Sequence, residues 1–165
     1  MPANAFMVTA SILVGNYLGA GDKNAARQTG MVLFVMSGLS MSIIAGLMWP
    51  FIDSIAGWFS YDLAVQIQIR HYLFFNILAV PFTVSGLVLH GVMNGSGATF
   101  YSLLVNVIGF WGVRLPLAWL LGRYVFNDAY GVYMAMLISM IVQTFGITWC
   151  FFRYDWMSFA MRSHK

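Results

Sequence analysis

The sequence predicts an all-α integral membrane protein, a polytopic helical bundle with four full transmembrane helices and the end of a fifth. Three observations lead there. Only 8% of its 165 residues are charged and 61% are hydrophobic, against roughly a quarter charged in an ordinary soluble domain. A chain this short has too much surface to hide so much apolar matter in one aqueous core. Finally, residues 1–21, 28–52, 71–113 and 129–152 contain no Asp, Glu, Lys or Arg, and a spanning helix needs about 20 apolar residues. Runs this continuous exclude transmembrane β-strands, which alternate and last about 10 residues.

The first segment, 5–18, is short for a crossing and opens abruptly at Met1-Pro2, so it reads as the end of a helix that begins upstream. Transmembrane segments follow at 26–52, closed near Pro50 with Asp53 beyond, and at 65–93, 100–121 and 130–152. A tail at 153–165, with Arg153, Arg162 and Lys165, is expected in the cytoplasm. Lys23 and Arg27 fall on the same side as that tail, whereas Arg70 and Arg123 fall on the other, and cytoplasmic loops carry the Lys/Arg excess. The formal charge of +3 is therefore a topology signal rather than a nucleic-acid patch. The expected location is the plasma or inner membrane, multi-pass, with the C-terminus cytoplasmic. The single Cys150 lies in an apolar run, which excludes a disulfide framework or a metal cluster within one chain.

Two helix ends echo each other. GNYLGAG (15–21) and GVMNGSG (91–97) share the spacing G-x-x-x-G-x-G, through Gly15, Gly19, Gly21 and Gly91, Gly95, Gly97. Neither has the lysine or the preceding strand of a phosphate loop, and His90 has no second metal ligand within a turn. G-x-x-x-G lets two helices approach closely in lipid, and a final glycine supplies a left-handed cap. Gly38, Ser42 and Gly46 form a further ridge of small residues in the second segment.

The third segment carries a polar stripe. Asn76, Thr83, His90 and Asn94 are spaced 7, 7 and 4 apart, which places them on one helical face, and Tyr72 extends it. Polar side chains in a crossing face the bundle interior or a water-filled cavity, so the stripe either lines a cavity or fastens neighbouring helices. Pro81 removes a backbone donor midway and is expected to kink the helix. Arg114 is the one full charge deep in a segment, with Pro116 two residues on. Snorkelling toward the outer headgroups is the favoured reading for it. The candidates for a substrate cavity are thus Tyr72, Asn76, Thr83, His90, Asn94 and Arg114, with Pro81 and Pro116 as hinges.

These motifs, in this order, resemble the C-terminal lobe of the multidrug and toxic compound extrusion (MATE) family. ASILVGNYLGAGDKNAA (10–26) is similar to that family's A-S-x-L-V-G-x-x-L-G-A-G helix end. Pro81-Phe82 followed by GVMNGSGAT (91–99), VRLPLAWLLG (113–122), GVYMA (131–135) and FFRYDW (151–156) resemble the family's later helices. The resemblance implies half of a two-lobed transporter fold, completed by an N-terminal lobe. It also implies an antiporter that exchanges sodium ions or protons for cationic or amphipathic solutes by alternating access, without a cofactor. One departure stands out: the position where the sodium-coupled branch carries a carboxylate falls near Thr83. Asp22, Asp53, Asp62, Asp128 and Asp155 all sit at segment edges or in turns. The coupling acid is therefore expected outside this chain. The alternatives are a lipid-linked oligosaccharide flippase of the same superfamily and a small non-transporting membrane subunit. No nucleophile, base or metal constellation supports an enzyme.

Overall fold

The computed structural model describes residues 2–125, 129–154 and 156–157, and every regular element among them is helical. The expected cytoplasmic tail therefore lies largely outside the described residues. Helix α1 covers Pro2–Gly19 and α2 covers Lys23–Met48. A tight 3-10 turn, Trp49–Phe51, leads into the short α3, Ile52–Phe59. Next comes α4, Leu63–Gly95, 33 residues long. A broken helical rod follows: α5 (Thr99–Val107), a wide π-helical turn (Ile108–Arg114), α6 (Leu115–Leu120) and a second wide turn (Leu121–Val125). It ends in α7, Ala129–Arg153. Four stretches are long and apolar enough to cross a membrane: Lys23–Phe59, Leu63–Gly95, Thr99–Val125 and Ala129–Arg153.

Local chemistry sets most of these ends. Asp22 Oδ1 accepts the Ala25 N–H at 2.9 Å and starts α2, and Asp62 Oδ1 does the same for Ala64, at 2.9 Å, to start α4. Helix α1 stops where Gly21 turns to φ 80°, with Asp22 N–H donating to Tyr17 O at 2.9 Å and Gly21 N–H to Leu18 O at 3.0 Å. Helix α4 stops the same way at Gly97, φ 77°, where the Ser96 hydroxyl donates to Met93 O at 2.9 Å.

Pro50 does not end the second crossing in a loop. It occupies the first turn of the 3-10 segment, where its missing donor costs little, and the helical path continues to Phe59. Helix α4 runs unbroken through Pro81. Ahead of Pro116 the chain instead takes the wide turn, in which Leu115 N–H reaches back five residues to Phe110 O.

Helix α4 forms the axis, with α1, α2 and α7 packed around it. Gly91 faces Met7 O of α1 and Gly95 faces Ser11 O, so α1 and α4 run parallel and end on the same side. The core sits toward that end. Val14 and Leu18 of α1, Ala26 of α2, Val92 and Met93 of α4, and Ile147 and Phe151 of α7 are buried there together. Trp156 closes it, stacked on Phe151 with centroids 5.2 Å apart and donating from Nε1 to Phe151 O at 3.0 Å. Helix α2 buries Ala26, Gly30, Ser37, Met41 and Ala45. The predicted small-residue ridge is thus turned about one residue away from the seam. Of its two glycines, Gly38 meets Ser85 while Gly46 faces open space. The outer face of α2 exposes Leu39, Ile43 and Leu47 by 60–66%, a surface suited to hydrocarbon.

Candidate functional site

Between α4, the first wide turn and α7 lies a cleft of about 150 Å³. Thr83 and His90, seven residues apart on α4, present one face to it, with Gly86 between them. Gly86 lets α7 come close, since a Cβ there would sit 3.0 Å from Thr144 Oγ1. The Thr144 hydroxyl, within 2.8 Å of Phe82 O and 2.9 Å of Met140 O, donates to one of these carbonyls and ties α7 to α4. Across the cleft stand Asn106 of α5, Phe110 of the wide turn, and Met140 and Gln143 of α7.

The polar groups differ in what they have left to offer. Thr83 Oγ1 donates to Ala79 O at 2.9 Å, which spends its proton and leaves its lone pairs. His90 Nδ1 is 2.8 Å from Ser102 Oγ, both side chains buried, so its second nitrogen, Nε2, is the one free of that bond. This pair joins α4 to α5. It has the spacing of a nucleophile and a base, an arrangement the sequence reading did not find. Ser102 is only 5% exposed and does not line the cleft, so the pair acts as a fastening between helices. Gln143 is 9% exposed and its Nε2 has no hydrogen-bond partner among the described residues. Its side chain lies against Gly109, where any Cβ would collide with Gln143 Cγ. Among the described residues the cleft lining holds no carboxylate, and no three His, Cys, Asp or Glu gather to hold a metal ion.

The predicted stripe is divided. Thr83 and His90 share the cleft, whereas Asn76 is half-buried outside its lining and Asn94 is exposed at the end of α4. Tyr72 is exposed, its ring 5.6 Å from that of Tyr133. Arg114 is half-buried with its guanidinium carbon 4.7 Å above the Phe110 ring, a cation–π contact beside the cleft. Pro81 lines a different groove, about 440 Å³ between α2, α4 and α7. Asn106, Gln143 and Thr144 were not singled out from the sequence, although each is a polar group inside an apolar run, the same signal that marked the stripe.

Gly19 meets nothing within 4 Å, whereas a Cβ at Gly15 would sit 3.3 Å from Gly95 O. The two echoing motifs therefore touch each other across the α1–α4 seam.

The MatE family model matches residues 1–120. The chain is 26% identical over 150 residues to "Probable multidrug resistance protein NorM" of Rhodopseudomonas palustris, covering 88% of this chain and 32% of that protein. It is 31% identical over 158 residues to "Protein DETOXIFICATION 23" of Arabidopsis thaliana, covering 94% of this chain and 32% of that one. The chain thus spans about a third of the length of the curated relatives it matches. The crystal structure of the eukaryotic MATE transporter AtDTX14 superposes with a TM-score of 0.87 at 22% identity, over 98% of this chain and 36% of that one. That likeness shows the fold: a multi-pass helical bundle. With the family match over most of its length, the chain belongs to the MatE family.

Proposed function

We propose that the chain forms the C-terminal-lobe part of a secondary efflux transporter, which exchanges sodium ions or protons for cationic or amphipathic solutes by alternating access. The observation that carries this reading is the cleft among α4, the wide turn and α7, lined by Thr83, His90, Asn106 and Gln143 within stretches long and apolar enough to cross a membrane. Polar groups kept in a crossing are costly, and their gathering around one void supports a solute path rather than helix glue alone. The relatives named for multidrug resistance and detoxification support the substrate class.

Of the stripe, Thr83 and His90 face the solute, and Gln143 and Asn106 join them from the other wall. Tyr72 and Asn76 lie further along α4 toward the opposite opening. The driving ion needs a carboxylate tuned by its surroundings, and this wall carries none, so that acid belongs to the partner lobe. Lys23, Arg27 and Arg153 share one end of the bundle, which supports a cytoplasmic placement of that end.

The test is dye efflux from a drug-sensitive host expressing the full-length transporter. Energised cells should accumulate less dye than controls, and Thr83→Val with Gln143→Leu should restore accumulation at unchanged protein level. Unaltered accumulation across a broad panel of cationic and amphipathic dyes would refute the reading.

A further inference from the structure

The hairpin formed by α3 and the start of α4 is longer than a membrane crossing requires. With 33 residues, α4 is about 50 Å long at 1.5 Å per residue, against about 30 Å of hydrocarbon and 40–45 Å including headgroups. Rings gather near one end of this length. Trp49 lies 5.0 Å from Phe74, His71 lies 5.3 Å from Tyr130, and Tyr72 pairs with Tyr133. Residues 52–70 continue past this belt, at the end opposite Lys23 and Arg27.

This extension is held in shape by polar contacts. The Arg70 guanidinium Nε lies 3.0 Å from Asp53 Oδ1, a solvent-facing ion pair between α3 and α4. Gln66 Nε2 donates to Ser60 O at 2.8 Å, and Asp62 N–H donates to Ser60 Oγ at 3.1 Å. At about 100° per residue, Ile52, Ile55, Ala56 and Phe59 share one face of α3, and Asp53, Ser54 and Gly57 share the other. Ala56 is fully buried against the hairpin, yet Trp58, Phe59 and Tyr61 are 84%, 76% and 103% exposed. Three exposed rings beside carboxylates and amides suit neither bulk water nor hydrocarbon, but they suit the boundary between them.

We propose that the α3–α4 hairpin is an interfacial anchor whose Trp58, Phe59 and Tyr61 insert into the headgroup–acyl boundary of the leaflet opposite the Lys23/Arg27 end. The lengths agree. Tilting α4 by roughly 30° fits its 50 Å within the full bilayer thickness and lies inside the usual range of helix tilts.

The test uses the full-length transporter in phospholipid vesicles, with a nitroxide on Phe59→Cys or on the control Leu39→Cys in a cysteine-free background. Collision rates with oxygen and with a water-soluble nickel chelate give the depth of each label. The label at 59 should lie about 5–10 Å below the phosphates, and the label at 39 well below it. A label at 59 collided with mainly by nickel would put the hairpin in water, and one shielded from both reagents would put protein over it. Either result overturns the anchor. Should Phe59→Cys fail to fold, Tyr61→Cys, whose side chain is fully exposed, reads the same depth.

Discussion

A methyl group added to Gly95 tests how the lobe is held together. Its Cβ would sit 2.9 Å from both Cα and C of Ser11 and closer still to Ser11 O. All three are backbone atoms, so no rotamer change can yield. Ordinary contact begins near 3.4 Å, and the Ser11 carbonyl oxygen, the nearest atom, sets the retreat of α1 at about one ångström. A gap of that size forfeits about half of the dispersion well of each facing pair along the seam. Overpacking of this kind costs about 1–3 kcal/mol. Two other helical glycines, differing in what their Cβ would meet, calibrate the effect. Gly15 would meet Gly95 O at 3.3 Å, and Gly46 meets nothing within 4 Å. Thermal melting of the purified full-length transporter in mild detergent should therefore rank Gly46→Ala highest, Gly15→Ala next and Gly95→Ala lowest. A Gly95→Ala protein that melts with Gly46→Ala would refute the backbone-to-backbone seam.

Three further outcomes follow, two from side chains at the cleft and one from the core. A double-mutant cycle of His90→Ala and Ser102→Ala should return a coupling of about 0.6–1.7 kcal/mol, the range for interhelical hydrogen bonds in membranes; a coupling of zero in unfolding titrations would remove this fastening. Gln143→Leu takes away an amide nitrogen that has no partner among the described residues, so it should raise the unfolding free energy by about 1 kcal/mol while lowering dye efflux; a loss of stability would mean the amide is satisfied. Trp156→Ala opens a cavity at a fully buried site and should cost about 3–5 kcal/mol, read as a lowered melting temperature.

The crossings could be read from sequence because hydrocarbon penalises charge so heavily that charge-free windows outline them. The cleft could be read only in part, for a geometric reason. Helical spacing along one chain segment places Thr83 and His90 on a common face, but nothing local to α4 says that Asn106 and Gln143 stand opposite. Those partners depend on which faces of α5 and α7 turn inward. That choice follows from Gly86 and Gly109, where helices touch, and a glycine reads the same whether or not a neighbour presses on it. Helix α3 escaped notice because Pro50 is a stop inside a helix and harmless in a first turn. The wide turn before Pro116 has no residue signature at all; it is how the rod accommodates a proline that lacks a donor.

The meeting of Gly91 and Gly95 with the α1 backbone has a mechanical consequence. A joint made of main chain on main chain has no slack, so α1 and α4 must travel as one rigid strut. In the alternating access proposed above, the stroke of the lobe is then expected where the rod is already over-wide, in the two wide turns flanking α6. The strut transmits the push, and that neighbouring column gives.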